Sequence, residues 1–243
     1  MAFWLAHDHL LATAAMSLII FAAAAPLAYI AAWLLVQGFL LGLVPAAAAA
    51  ALGGASYAAG LHCVRSWIDG DDGFWNILAR GLRRHGMHGA ALALVWLTVA
   101  AALGVSVYFY AGPAAARVPV VGYALAAIAL WALAAAAAAA PYSMAARVWK
   151  PMGVRQCIKT ALLVLVDNIF LIGGMWLLTF VMGLAAFWAP PILVFVYGGA
   201  SVCLFGAAYE MAARRYSPDE DEELENDPYL NRGWRDFLFP WKQ

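Results

Sequence analysis

The chain has 243 residues, of which 66% are hydrophobic and 12% charged, with 14 Lys and Arg against 14 Asp and Glu. A soluble domain of this size cannot hide so much apolar side chain, because surface grows too fast relative to volume. Lipid is the solvent that accepts it, and a soluble globular fold is excluded. The zero net charge and the lack of a folded face of clustered Lys and Arg argue against nucleic acid as a partner.

The first Lys or Arg is Arg65, so the N-terminus lacks the positive region of a cleavable signal peptide. Residues before about 20 are expected to form a helix lying in the membrane interface, with Trp4 and His7-Asp8-His9 at headgroup level. From Leu10 to Leu61 the sequence is almost uncharged, which is too long for one crossing of about 20 residues. Pro45 suits the first turn of a following helix, where its missing N–H costs nothing. The reading is therefore a first span at about 22–43, with Pro26 at its start or at a kink, and a second at about 45–63. Both carry small-xxx-small spacings for close helix packing: Gly38 and Gly42 in the first, Gly54 and Ala58 in the second.

A polar segment follows, with Asp69, Asp71 and Asp72 before FWNILARGLRRHGMHG. Phe74, Ile77, Leu78 and Leu82 recur at helical spacing opposite Arg80, Arg83 and Arg84, which predicts a first amphipathic connector helix. A third span is expected at about 89–110 and a fourth at about 119–140, stopping at Pro141. The second polar segment holds Arg147, Trp149, Lys150, Arg155 and Lys159, and predicts a second connector helix. Spans five and six are expected at about 168–187 and 191–212, separated by Trp188-Ala189-Pro190-Pro191. Residues 1–213 thus form the membrane domain, and 214–243 an acidic and aromatic tail.

The fold class is all-α: a polytopic transmembrane bundle of about six spans with two cytoplasmic amphipathic connectors. Of the 14 basic residues, Arg117 alone falls on one side; the other 13 lie in the two polar segments and the tail. Positive-inside then places both termini in the cytoplasm.

Chemistry-bearing residues are few. Asp167 with Asn168 stands where span five begins; it is either an interfacial capping residue or an intramembrane acid used in transport or proton coupling. Gln37 can hydrogen-bond between helices. Glu210 is expected to pair with Arg214 at i+4. His85 and His88 lie i,i+3, with His62 and Cys63 on the same side, but no complete ligand motif is present, so neither metal nor cofactor is expected. Ser56 lies in an alanine-rich helix one residue short of a nucleophile elbow, without a base. Cys63, Cys157 and Cys203 form no CxxC pair and suit a reducing compartment. The sequence therefore reads as a non-enzyme. Arg65, Trp67, Arg83, Arg84, Arg147 and Trp149 gather on one face as the expected cytoplasmic interaction surface.

The order GLVPAAAAA, then VRSWIDGDDGFWNILARGLRRHG, resembles the YesL-like family of small bacterial membrane proteins, over about residues 20–212. The matching elements are Trp33, Gly42 with Pro45-Ala46, Arg65, Asp69–Asp72 and Phe74 onward, and in the second half Arg147 and Asp167-Asn168. Members of that family tend to be linked with carbohydrate uptake by ABC transporters. The resemblance implies an accessory or scaffold role beside permease subunits, with a homo-oligomer as another assembly. A small stand-alone transporter or channel using Asp167 and Asn168 is the alternative.

Overall fold

The computed structural model describes residues 1–71 and 73–214. The tail beyond Arg214, and Asp72, lie outside the described residues, and with them the expectations for the acidic and aromatic tail. In chain order the helices are α1 (Ala2–Asp8), α2 (Leu10–Val36), α3 (Leu43–Ile68), α4 (Phe74–Phe109), α5 (Pro119–Trp149), α6 (Val154–Asp167), α7 (Ile169–Trp188), α8 (Pro190–Ile192) and α9 (Gly198–Arg214). A π-helical turn, Leu193–Tyr197, joins α8 to α9. Six stretches are long and apolar enough to cross a membrane: Leu10–Val36, Leu40–Ile68, Phe74–Ala114, Pro119–Trp149, Ile169–Trp188 and Pro190–Arg214. The protein is an all-α bundle with six candidate spans.

Several boundaries differ from the sequence reading. Span one begins at Leu10 and runs through Pro26, and α5 runs through Pro141. A proline removes one intrahelical hydrogen bond, and a helix held by its neighbours tolerates that loss. The first break comes at Gly38, whose φ of +82° turns the chain after α2. A Cβ there would meet nothing within 4 Å, so Gly38 serves the turn and not helix packing. Gly42 does pack closely, but as the residue before α3: a Cβ there would lie 2.8 Å from Leu35 Cγ and 2.9 Å from the Ala31 carbonyl. Pro45 sits in the first turn of α3, as expected.

The N-terminal helix does not lie free in the interface. Trp4 and Leu5 are buried, with α1 packed against α9. The first connector is also not a separate helix. It is continuous with span three in the 36-residue α4, about 54 Å long, whereas the hydrocarbon core is about 30 Å thick. With 90–109 in the hydrocarbon, the first 16 residues of α4 project about 24 Å beyond it. The second connector, α6, is a helix of its own, separated from α7 at Asn168.

Burial is uneven along the bundle. The core is built from Leu61, Val64 and Trp67 of α3, Ile77 of α4, Tyr142, Ala145 and Val148 of α5, Cys157 and Ala161 of α6, and Phe205 and Tyr209 of α9. All lie toward the end that carries Arg65 and Arg147. The opposite end exposes Trp33, Tyr108, Val120, Trp131 and Trp188, the apolar surface expected of helices that face acyl chains.

Small residues set the closest helix crossing. A Cβ on Gly54 would lie 2.6 Å from the Gly89 carbonyl; one on Gly89 would lie 2.5 Å from the Gly54 carbonyl and 2.6 Å from Ala58 Cβ. The spacing of Gly54 and Ala58 thus meets Gly89 of α4. Gly199 of α9 crosses α2 in the same way, against the Thr13 carbonyl.

Candidate functional site

The polar groups of the bundle collect at its basic end. Arg65, near the C-terminus of α3, donates from Nη1 to the carbonyls of Val148 and Trp149 at 2.7 and 2.9 Å. These are two of the carbonyls that the end of α5 leaves without intrahelical donors. Its Nε lies 3.9 Å from the Asp69 carboxylate. The Trp149 indole N–H donates to Glu210 Oε2, while Arg214 Nε donates to Glu210 Oε1 at 2.9 Å. The expected Glu210–Arg214 pair is present. It is one arm of a larger chain that ties α3, α5 and α9 together.

Arg147 is held in the same way. It donates to the Met152 carbonyl at 2.8 Å, and a second nitrogen lies 3.1 Å from His88 Nε2. Trp67 is 2% exposed, and its ring stacks on His9 at 4.3 Å. Arg65, Trp67, Arg147 and Trp149, four of the six residues read as an interaction surface, are thus engaged within the bundle, with Arg65 still 40% exposed. The sequence pattern found basic and aromatic residues beside a membrane. It carried no signal that partners from distant helices would use them.

Arg83 and Arg84 differ. Both are exposed, as is Arg80, and the three share one face of α4 with Asn76 and Ala79. Among the described residues none of the three arginines forms an ion pair. They lie N-terminal to the stretch of α4 that the sequence reading assigns to the hydrocarbon. Along the helix axis Arg84 lies about 9 Å and Arg80 about 15 Å from residue 90.

The histidines do not assemble a metal centre. His62 and His85 face each other with ring centroids 5.2 Å apart, but His88 is engaged by Arg147. Among the described residues no group of three or more His, Cys, Asp and Glu can hold an ion. The three cysteines are buried and unpaired.

Asp167 and Asn168 stand at the joint between α6 and α7. Asp167 is exposed; Asn168 is buried, and its side-chain amide donates to the Val164 carbonyl at 3.4 Å. Gln37 is exposed at the turn after α2 and not inside a span. An open cavity of about 410 Å³ lies deeper in the bundle, bordered by Gly54, Tyr57, Ala93, Pro141, Trp176 and Thr179 among others. Asp167, Asn168 and Gln37 are not among the residues that line it. Its small lining residues were visible in the sequence as alanine and glycine runs; the void they leave was not.

No family model, curated protein or solved structure matches this chain.

Proposed function

We propose that this is a non-catalytic accessory subunit of the bacterial cytoplasmic membrane that recruits another membrane complex through the arginine face of α4. The observation that carries the reading is the contrast between two sets of cations. Arg65, Arg147 and Arg214 are bonded inside the bundle, whereas Arg80, Arg83 and Arg84 stand exposed in the first third of the 36-residue α4. Guanidinium groups so placed fit an acidic surface by forked hydrogen bonds. The basic end faces the cytoplasm on the positive-inside rule.

The resemblance to the YesL-like family supports a carbohydrate importer of the ABC type as the complex served, with permease subunits as the partners. Gentle-detergent purification from native membranes tests the reading. The wild-type chain recovers importer subunits, and R80E/R83E/R84E recovers fewer than one tenth as many. Recovery of the wild-type chain alone would defeat it. A stand-alone transporter built on Asp167 and Asn168 is the second reading; neither residue borders the open cavity beside Tyr57 and Trp176.

A further inference from the structure

The arginine face has a complement in the same chain. Residues 1–214 hold ten Lys and Arg against six Asp and Glu, whereas residues 215–243 hold four against eight. Seven of those eight acids fall within Asp219–Asp227. The tail starts in the right place. Arg214 borders a cleft of about 460 Å³ together with Arg65 and Trp149. Arg65 is one turn beyond His62, and a Cβ on Gly81 of α4 would lie 3.0 Å from His62 Cβ. Because α3 and α4 run antiparallel, Arg65 stands near the level of residue 78 of α4. The root of the tail is therefore at the height of Arg80, with α3 between them.

Two helix widths, about 20–24 Å, separate the root from the arginine face. An extended chain spans about 3.3 Å per residue, so Asp219 reaches about 17 Å and Asp227 about 43 Å from Arg214. The acids bracket the distance required.

We propose that the acidic segment Asp219–Asp227 docks on Arg80, Arg83 and Arg84. Of the other exposed cations of this end, Lys150 borders the cleft at Arg214, and Arg155 and Lys159 are less suited. Arg155 and Lys159 sit on α6 beside the exposed apolar Leu162, Leu163 and Val166, a mixed face that belongs at the headgroup layer. The three arginines of α4 lie within little more than one turn and stand in water. Tethering supplies an effective concentration in the millimolar range, so weak individual ion pairs suffice. The contact rests on its own geometry. Its consequence rests on the proposed function: the tail covers the face a partner needs, and an acidic partner has to displace it.

The test uses the full chain in nanodiscs of zwitterionic lipid, spin-labelled through Ala79→Cys and Glu222→Cys; the native cysteines are buried. Pulsed dipolar spectroscopy should show a narrow short-distance peak at low salt, in place of the broad distribution that tethering alone produces. Raising the salt to about 1 M, where the screening length falls to about 3 Å, should remove it. R80E/R83E/R84E should also remove it, and exchanging the acids of 219–227 for Lys in that variant should restore it. K150E/R155E/K159E should leave it in place. The proposal is overturned if the short distances survive the arginine reversal or vanish only on reversing the α6 set. It is also overturned if they disappear on dilution with unlabelled protein, which would assign the tail of a second copy. It is equally overturned if they are absent at low salt while the label at 79 is immobilised only by anionic lipid. Partner recovery plays no part in these readings, so failure of the docking and failure of the proposed function are separable.

Discussion

Replacing Gly89 by Ala isolates the contribution of one helix crossing. The added Cβ would lie 2.5 Å from the Gly54 carbonyl and 2.6 Å from Ala58 Cβ. Ordinary carbon contacts are at about 3.5–4.0 Å, so α3 and α4 must separate locally by about 1 Å. Overpacking of this kind costs about 1–3 kcal/mol, against a helix-propensity gain of about 0.5–1 kcal/mol for Gly→Ala. The net destabilisation is about 1–2 kcal/mol, a drop of about 3–6 °C in Tm for a protein of this size. Gly104 supplies the control on the same helix. A Cβ there meets nothing within 4 Å, so Gly104→Ala retains only the propensity gain and should be neutral or stabilising. Thermal unfolding of both variants in one detergent, followed by tryptophan fluorescence, reads the difference. Equal shifts for the two would refute the close crossing as a source of stability.

Gly199→Ala should destabilise at least as strongly as Gly89→Ala in the same melts, because its Cβ meets the backbone carbonyl of Thr13. Arg65→Gln should cost about 1 kcal/mol, below the usual 1.5–3 for charge-assisted hydrogen bonds because the side chain is 40% exposed; amide exchange should show fraying confined to the C-terminal turn of α5. Glu210→Gln keeps an acceptor for the Trp149 indole and loses the Arg214 charge, so near-UV circular dichroism should change less than for Glu210→Ala. Asp167→Asn should leave recovery of importer subunits within about twofold of wild type; a larger loss would return that residue to the mechanism.

The class of fold was legible because it rests on bulk quantities. Apolar runs of span length report six crossings whatever their exact ends, and Pro45 announces the start of α3 correctly. The ends themselves depend on tertiary support. Pro26 and Pro141 look like helix breakers, yet each lies inside a helix. Gly38 and Gly42 share a spacing in the sequence, and only the backbone dihedrals show that one turns the chain while the other packs. At the basic end the sequence marks the right residue types but not their use. Arg65 and Arg83 look alike in a basic segment; the difference is that Arg65 reaches the end of α5, whereas Arg83 points to no acid among the described residues. That distinction requires knowing that α3 and α5 end side by side.

The most direct test of the account is a photo-crosslinking amino acid placed at Ala79, on the arginine face, in cells that express the importer. The account predicts an adduct with a transport-complex subunit that disappears in R80E/R83E/R84E, and none from the same probe at Ile128, which is exposed on α5. Adducts of equal yield at both positions, or none at Ala79 while the chain is folded in the membrane, would contradict it.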